Sequence, residues 1–221
     1  MIKEEINLIN KELPSTVKLV AVSKFNPVEA IEQAYDAGQR IFGENRPQEL
    51  AAKVPVLPAD IQWHFLGHLQ TNKLKMVLPY AWLIQSVDSE KLLMEINKFA
   101  VAKGLCVNCL LEMFVAAEQT KQGFDKEELL NLVDRLSKEP LPGVELCGLM
   151  GMATFTDDTE QIRGEFTLLA DTFHEIKNQY GHVFPKFKEL SMGMSGDYKI
   201  AIECGSTMVR IGTRIFGVRK Y

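Results

Sequence analysis

The sequence predicts an α/β fold, a (β/α)8 barrel of the TIM type, formed by one domain over residues 1–221. Three observations carry that expectation. Eight short runs rich in Val, Ile, Leu and Phe recur along the chain. Helix-period stretches lie between most of them. The runs are also nearly continuous in apolar character, as strands of a parallel sheet covered on both faces must be.

The runs are KLVAVS (18–23), RIFGEN (40–45), QWHFLG (62–67), AWLIQSV (81–87), LCVNCLLEMFV (105–115), VELCGLMGMA (144–153), FKELSMGM (187–194) and TMVRIGTRIFG (207–217). The opening MIKEEINLINKEL mixes acids with apolar residues and lacks a basic start and an apolar middle. It predicts an amphipathic helix rather than a secretory signal. After the first run, Asn26 is the expected cap of a helix that begins with Pro27. It presents Val28, Ile31 and Tyr35 on one face and stops at Gly38. Ser89 is expected to cap the next clear helix, with Leu92, Ile96 and Phe99 inward and Gly104 after it. Asp125 and Glu128 have capping-box spacing ahead of the stripe Leu129, Leu132, Leu136. Ile162, Phe166, Leu169, Phe173 and Ile176 form a long stripe at spacings of four and three, read as a core face. The competing fold is an open doubly wound sheet. No G-x-G-x-x-G follows the first strand and no G-x-x-x-x-G-K-[ST] occurs, so the barrel is preferred. No linker, low-complexity stretch or repeat divides the chain.

Hydrophobic residues make up 46% of the 221, enough for a large core without disulfides or metal. The net charge of −4 does not supply the broad positive field that binds nucleic acid. No apolar run reaches about 18 residues, so no membrane span is expected. Cys106, Cys109, Cys147 and Cys204 are expected as free thiols, which places the protein in the reducing cytoplasm. Cys106 and Cys109 form a C-x-x-C, but alternation along a strand points residues three apart to opposite faces. His64 and His68 sit on a strand-to-loop segment, where H-x-x-x-H is weak metal evidence. A packed, hydrogen-bonded His64 is the better reading, and His174 and His182 are expected in solvent. No metal site is expected.

In such barrels the active site lies at the C-terminal ends of the strands. That rule selects Lys24 after the first run, Gly43-Glu44-Asn45 after the second, and His64 with Gly67-His68 at the third. It also selects Met192 through Asp197 after the seventh, and Arg210 with Gly212-Thr213 at the eighth. A lysine closing an apolar strand has its stem in the barrel mouth. Partial desolvation there lowers its pKa and frees the amine for Schiff-base chemistry. Position alone favours an ordinary solvated lysine at a strand end over that role. Ser195-Gly196-Asp197 and Gly212-Thr213 offer backbone N–H groups and hydroxyls suited to a phosphate, or ordinary turn chemistry.

The stretches LVAVSKFNP, AGQRIFGENRPQEL, WHFLGHLQTNKLK, QSVDSEKL, EQTKQGF, CGLMGMATFTDD and LSMGMSGDYKIAIECGSTMVRIGTRIFG run from residue 19 to 217. Together they resemble the pyridoxal phosphate homeostasis protein family, relatives of the N-terminal barrel of alanine racemase. The resemblance implies a fold type III barrel that binds pyridoxal 5′-phosphate (PLP), with Lys24 as the Schiff-base lysine. It implies that Ser195, Gly212 and Thr213 contact the phosphate, that Arg210 faces the pyridine nitrogen, and that Asn45 and Met194 lie near the ring. Two positions depart from the family's pattern: Arg46, where an aromatic usually follows GEN, and Leu111-Glu112-Met113-Phe114, where Val/Ile-Gln-Val-Asn is usual. The expected role is intracellular PLP buffering or delivery, without catalysis, by a monomer whose partners are PLP and apo PLP-dependent enzymes. The alternative is a PLP-dependent enzyme acting on amino acids, such as a weak racemase. Racemisation usually needs an acid/base group on each face of the substrate. The two-domain racemase draws one from its second domain, whereas this sequence ends at Tyr221, four residues after Gly217.

Overall fold

Each apolar run becomes a strand, and the strands close on one another. The computed structural model describes residues 1–117 and 122–217; four residues of the EQTKQGF stretch (118–121) lie outside them. The strands are β1 (Lys18–Val22), β2 (Ile41–Glu44), β3 (Gln62–Phe65), β4 (Leu83–Val87), β5 (Val107–Glu112), β6 (Val144–Met150), β7 (Glu189–Ser191) and β8 (Met208–Ile211). They form a closed barrel in sequence order. Every pairing is parallel, and β8 returns to β1 with Lys18 opposite Met208 and Ala21 opposite Ile211.

The helices are α1 (Ile2–Glu12), α2 (Val28–Asp36), α3 (Pro47–Lys53), α4 (Leu74–Val77), α5 (Glu90–Lys103), α6 (Lys126–Lys138), α7 (Thr159–Tyr180), α8 (Tyr198–Glu203) and α9 (Thr213–Phe216). Among the described residues, no helix is long and apolar enough to cross a membrane. The expected caps form at α5 and α6. Ser89 Oγ accepts from the Leu92 amide, and Asp125 and Glu128 complete the reciprocal box. Gly38 and Gly104 take left-handed φ of 96° and 64°. In both turns the amide after the glycine reaches back to the helix, Gln39 N–H to Ala34 O and Leu105 N–H to Ala100 O. At α2 the expectation fails. The helix starts at Val28 with Pro27 in the cap position and no side-chain cap. The Asn26 amide instead donates to the Lys24 carbonyl at 3.1 Å, bracing the loop ahead of the helix.

Alternation along the strands divides the core in two. Leu19, Ala21, Phe42, Trp63, Phe65 and Ile84 pack outward with the helix stripes. Val20, Leu83, Leu110, Cys147, Met150 and Met208 fill the barrel itself. The β5–β6 register slips after Cys109, so that Cys109 pairs Leu146 and Leu110 pairs Gly148. The extra residue, Cys147, turns into the barrel, as residues at a bulge do. The bulge requires glycine at position 148. Its φ is 149°, and a Cβ there would lie 1.7 Å from the Glu189 carbonyl oxygen of β7. Gly148→Ala therefore has to break the β6–β7 seam. It is expected to cost more than about 3 kcal/mol in urea unfolding. A loss below about 1 kcal/mol would show that the seam can shift to admit a methyl group.

Candidate functional site

The loop after β1 is held from below by buried charge. Lys53, on α3, donates from Nζ to the Ser23 carbonyl at 3.0 Å and to Glu44 Oε1 at 2.7 Å. Ser23 Oγ donates to the same Glu44 oxygen at 2.7 Å. Ser23 and Glu44 are fully buried, and Lys53 is 7% exposed. Burial raises the Glu44 pKa, and the Lys53 charge opposes it. Residue 25 is then forced into the left-handed region, with φ of 64° at Phe25. A non-glycine residue pays strain for that conformation. Two contacts offset it: the Phe25 amide donates to Glu49 Oε2 at 2.7 Å, and the Arg46 guanidinium lies 4.2 Å from the Phe25 ring centroid. Arg46, one of the two departures, thus packs on the loop that carries Lys24.

The opposite wall comes from the ends of β7 and β8. Its backbone amides at Ser195, Gly196, Thr213 and Arg214 donate to no group among the described residues. Gly212 lies against β1, where a Cβ would stand 3.1 Å from the Val22 carbonyl oxygen. Asp197 accepts from the Met194 amide, which fixes the turn. Beneath the wall, Arg214 donates to Glu12 of α1 at 2.9 and 2.7 Å and to the Tyr198 hydroxyl at 2.7 Å. These bonds, chiefly Arg214's, hold the Glu12 carboxyl down to about 2.

Arg210 lies between the walls, 5% exposed. Its Nη1 donates to Ser191 Oγ at 2.7 Å and its Nη2 to the Gly151 carbonyl at 3.0 Å. Burial lowers its pKa to about 10, against the pull of Asp197 and Glu112, so it stays a cation at neutral pH. Ser191 Oγ donates in turn to Gln85 Oε1 at 2.6 Å, and Gln85 Nε2 lies 2.8 Å from His64 Nδ1. A polar chain thus runs from Arg210 down the barrel axis. His64, 2% exposed, is the packed and hydrogen-bonded histidine that the sequence predicted.

The cavity between the walls has a volume of about 400 Å³, and Lys24, Asn45, Met194, Ser195, Arg210, Gly212 and Thr213 all line it. The seven residues selected from the sequence are therefore brought to one place. Sequence reasoning missed the supports: Lys53, Gln85 and Ser191. For Gln85 and Ser191 the signal was polarity inside apolar runs, as in LIQSV, where both Gln85 and Ser86 are buried; Lys53 left none. A wider groove of about 870 Å³, lined by His68, Asp88 and Arg135, contains none of the seven.

Two polar groups test what the cavity fits. Asn45 Oδ1 is buried with no hydrogen-bond partner, and three residues of the lining, Ser195, Gly196 and Thr213, have amides without a partner among the described residues. Glu112, the second departure, is 2% exposed at the end of β5. Burial, with Asp88 nearby, pushes its carboxyl up to about 7, while Arg210 pulls it down. A carboxyl whose pKa rises on folding costs nothing below the unfolded value of 4.5. Stability falls as pH rises from there through about 7, because the fold keeps a proton that the unfolded chain releases. Glu112→Gln is thus expected to stabilise the protein by roughly 1–3 kcal/mol at pH 8 and by little at pH 4.5. Urea unfolding at the two pH values checks this; an equal effect at both would remove Glu112 as the titrating group.

The family model for the alanine racemase N-terminal domain matches residues 1–220. The pyridoxal phosphate homeostasis protein of Aquifex aeolicus is 40% identical over 205 residues, 92% of this chain and 88% of that one. The one from Haemophilus influenzae is 37% identical, over 100% of this chain and 97% of its own. Among solved structures, PipY of Synechococcus elongatus superposes with a TM-score of 0.91 at 36% identity, over 98% of this chain and 100% of that one. A second PipY structure, described as having PLP bound, superposes at 0.87 and 35% identity, with the same coverage. Alanine racemase of Clostridium difficile, 15% identical, shares the fold alone, with a TM-score of 0.77 over 56% of its length. By the family match and by relatives aligned along nearly their full length, the chain belongs to the pyridoxal phosphate homeostasis protein family.

Proposed function

We propose that the chain binds PLP in the cavity between the β1 loop and the β7–β8 wall, as a Schiff base on Lys24, and serves intracellular PLP homeostasis by buffering or delivery. One observation carries the proposal. A single cavity sets a half-buried lysine at the end of β1 against Ser195, Gly196 and Thr213, whose amides have no partner among the described residues, with Arg210 also in its lining. An amine can capture an aldehyde reversibly, and a row of N–H donors suits a phosphate. When bound, PLP supplies both of these groups. The relatives' names and the PLP described in a PipY structure support the same reading.

In this reading Ser195 and Thr213 add hydroxyl donors to the amide row, and Gly212 lets the backbone approach the phosphate. Arg210 faces the ring nitrogen, and Asn45 and Met194 lie near the ring. A permanent cation there disfavours protonation of the ring nitrogen, and an unprotonated ring is a poor electron sink. That limits amino-acid chemistry at the ring, as the same arginine does in alanine racemase, an amino-acid enzyme. The free thiols support a reducing, cytoplasmic setting. In this reading a monomer hands PLP to apo-enzymes, and the closed barrel leaves no sheet edge for another chain to pair with.

Lys24→Ala is expected to abolish the borohydride-trapped PLP adduct. Mass spectrometry of the wild-type adduct should map it to Lys24, and an adduct on another lysine would overturn the assignment. Ser195→Ala and Thr213→Ala should each weaken PLP binding by roughly 0.5–1.5 kcal/mol while hardly changing the affinity for unphosphorylated pyridoxal. Equal losses for both ligands would place the phosphate elsewhere.

A further inference from the structure

At the opposite mouth of the barrel, the N-terminal ends of the strands enclose a second cavity of about 390 Å³. It shares no lining residue with the cavity of Lys24. Its polar lining includes Lys18, Lys186, Lys188, His64, Gln62, Asn108 and Glu189. Glu189 is paired with Lys18, and Lys186 reaches Glu145 at 3.1 Å. Lys188 makes no ion pair among the described residues. Two of the three ammonium groups are thus paired, Lys18 with Glu189 and Lys186 with Glu145, and Lys188 leaves the wall with a net positive charge.

What His64 offers to this cavity follows from the far end of the polar chain. Arginine can only donate. Ser191 Oγ must therefore accept from Arg210, and the hydroxyl proton of Ser191 turns to Gln85 Oε1. The Gln85 amide is thereby oriented, with its NH2 group toward Met208 Sδ and His64 Nδ1. The reverse orientation would aim two donors at Ser191 Oγ and strand its proton. His64 Nδ1 is then an acceptor, and the ring proton sits on Nε2. Burial, followed by the nearby Lys18 charge, keeps the ring neutral, with a pKa lowered to about 3. The Nε2–H has no acceptor among the described residues. The cavity therefore joins an oriented donor with no partner among the described residues to a rim that carries Lys186 and Lys188.

We propose that this N-terminal mouth is a binding site for a small oxyanion, a phosphate or carboxylate group, with His64 Nε2–H as its buried donor and Lys186 and Lys188 as its charged rim. The site is separate from the PLP reading and stands whether or not Lys24 holds the cofactor. Its test is imidazole proton–nitrogen NMR on the purified protein, titrated with sodium phosphate or sodium acetate at ionic strength held constant with chloride. The His64 Nε2 and proton signals should move saturably. The Lys186→Ser/Lys188→Ser double variant, changed only at exposed side chains, should bind about tenfold more weakly. A response to phosphate alone assigns a phosphoryl ligand, and a response to acetate a carboxylate. Water alone fills the mouth if neither anion moves His64 beyond the chloride control, and the proposal then fails. It fails equally if the double variant responds with unchanged affinity, since the anion would then be acting from another place.

Discussion

A guanidinium buried near the axis of a parallel barrel has to find partners inside the barrel. Arg210 is the only residue of β8 that brings charge there, and its donors set the orientation of everything beneath it. Ser191 accepts, Gln85 accepts from Ser191, and His64 accepts from Gln85. Each link has a determined direction because the first group cannot accept. An unpaired member in this low-dielectric interior would cost roughly 1–3 kcal/mol, so the chain holds as a unit. Around it, Val20, Leu83, Leu110 and Met208 fill the remaining interior without polar atoms of their own to satisfy, apart from the Met208 sulfur that Gln85 also contacts. The polar chain occupies one sector of the barrel and apolar packing the rest.

The second buried charge has a different task. Glu44 and Lys53 pair at 2.7 Å out of contact with water. Taking both ions from solvent is expensive, and an apolar pair of similar volume is often as stable. What the pair contributes is direction. One ammonium joins the end of β2, the end of β1 and, through Glu49, the turn at Phe25. Those bonds fix the backbone on both sides of Lys24. The opposite wall is fixed from the other end of the chain, where α1 clasps α8 and α9 through Glu12, Tyr198 and Arg214. The cavity is thus braced by interactions that do not enter it, and its lining groups are positioned in advance of any ligand.

The strands were legible because burial on both faces leaves a strong mark: runs with no polar alternation, spaced by helix-period segments. Caps were legible where a side chain and the backbone serve each other locally, as at Ser89 and at Asp125 with Glu128. The Asn26 cap was not, because the loop around Lys24 recruited that amide for the Lys24 carbonyl, a demand set by tertiary structure. The seven lining residues were legible by a rule of position, since strand ends of a barrel converge whatever their sequence. The supports were not. Lys53 reads as an ordinary helix lysine, and its burial depends on how α3 crosses the ends of β1 and β2. Gln85 and Ser191 mark their strands as unusual, but which strand partners them is a property of closure, since β4 and β7 face each other only across the barrel.

Holding a cofactor and using it for proton transfer make different demands on this architecture. Proton transfer near neutrality needs a group with pKa near 7 in reach of the substrate. Arg210, at about 10, stays charged and is committed to Ser191 and Gly151. The Asp197 carboxyl is committed to the Met194 amide and holds the turn that carries Ser195. Glu112 has the suitable pKa, but it is 2% exposed, and among the described residues its carboxylate accepts from Gln122 Nε2 at 3.5 Å. Its proton balances charge beside Arg210: protonated, it adds no field to the barrel mouth, and ionised, it offsets part of the guanidinium charge. Arg210, Asp197 and Glu112 are thus engaged in shaping the cavity and the field at its mouth.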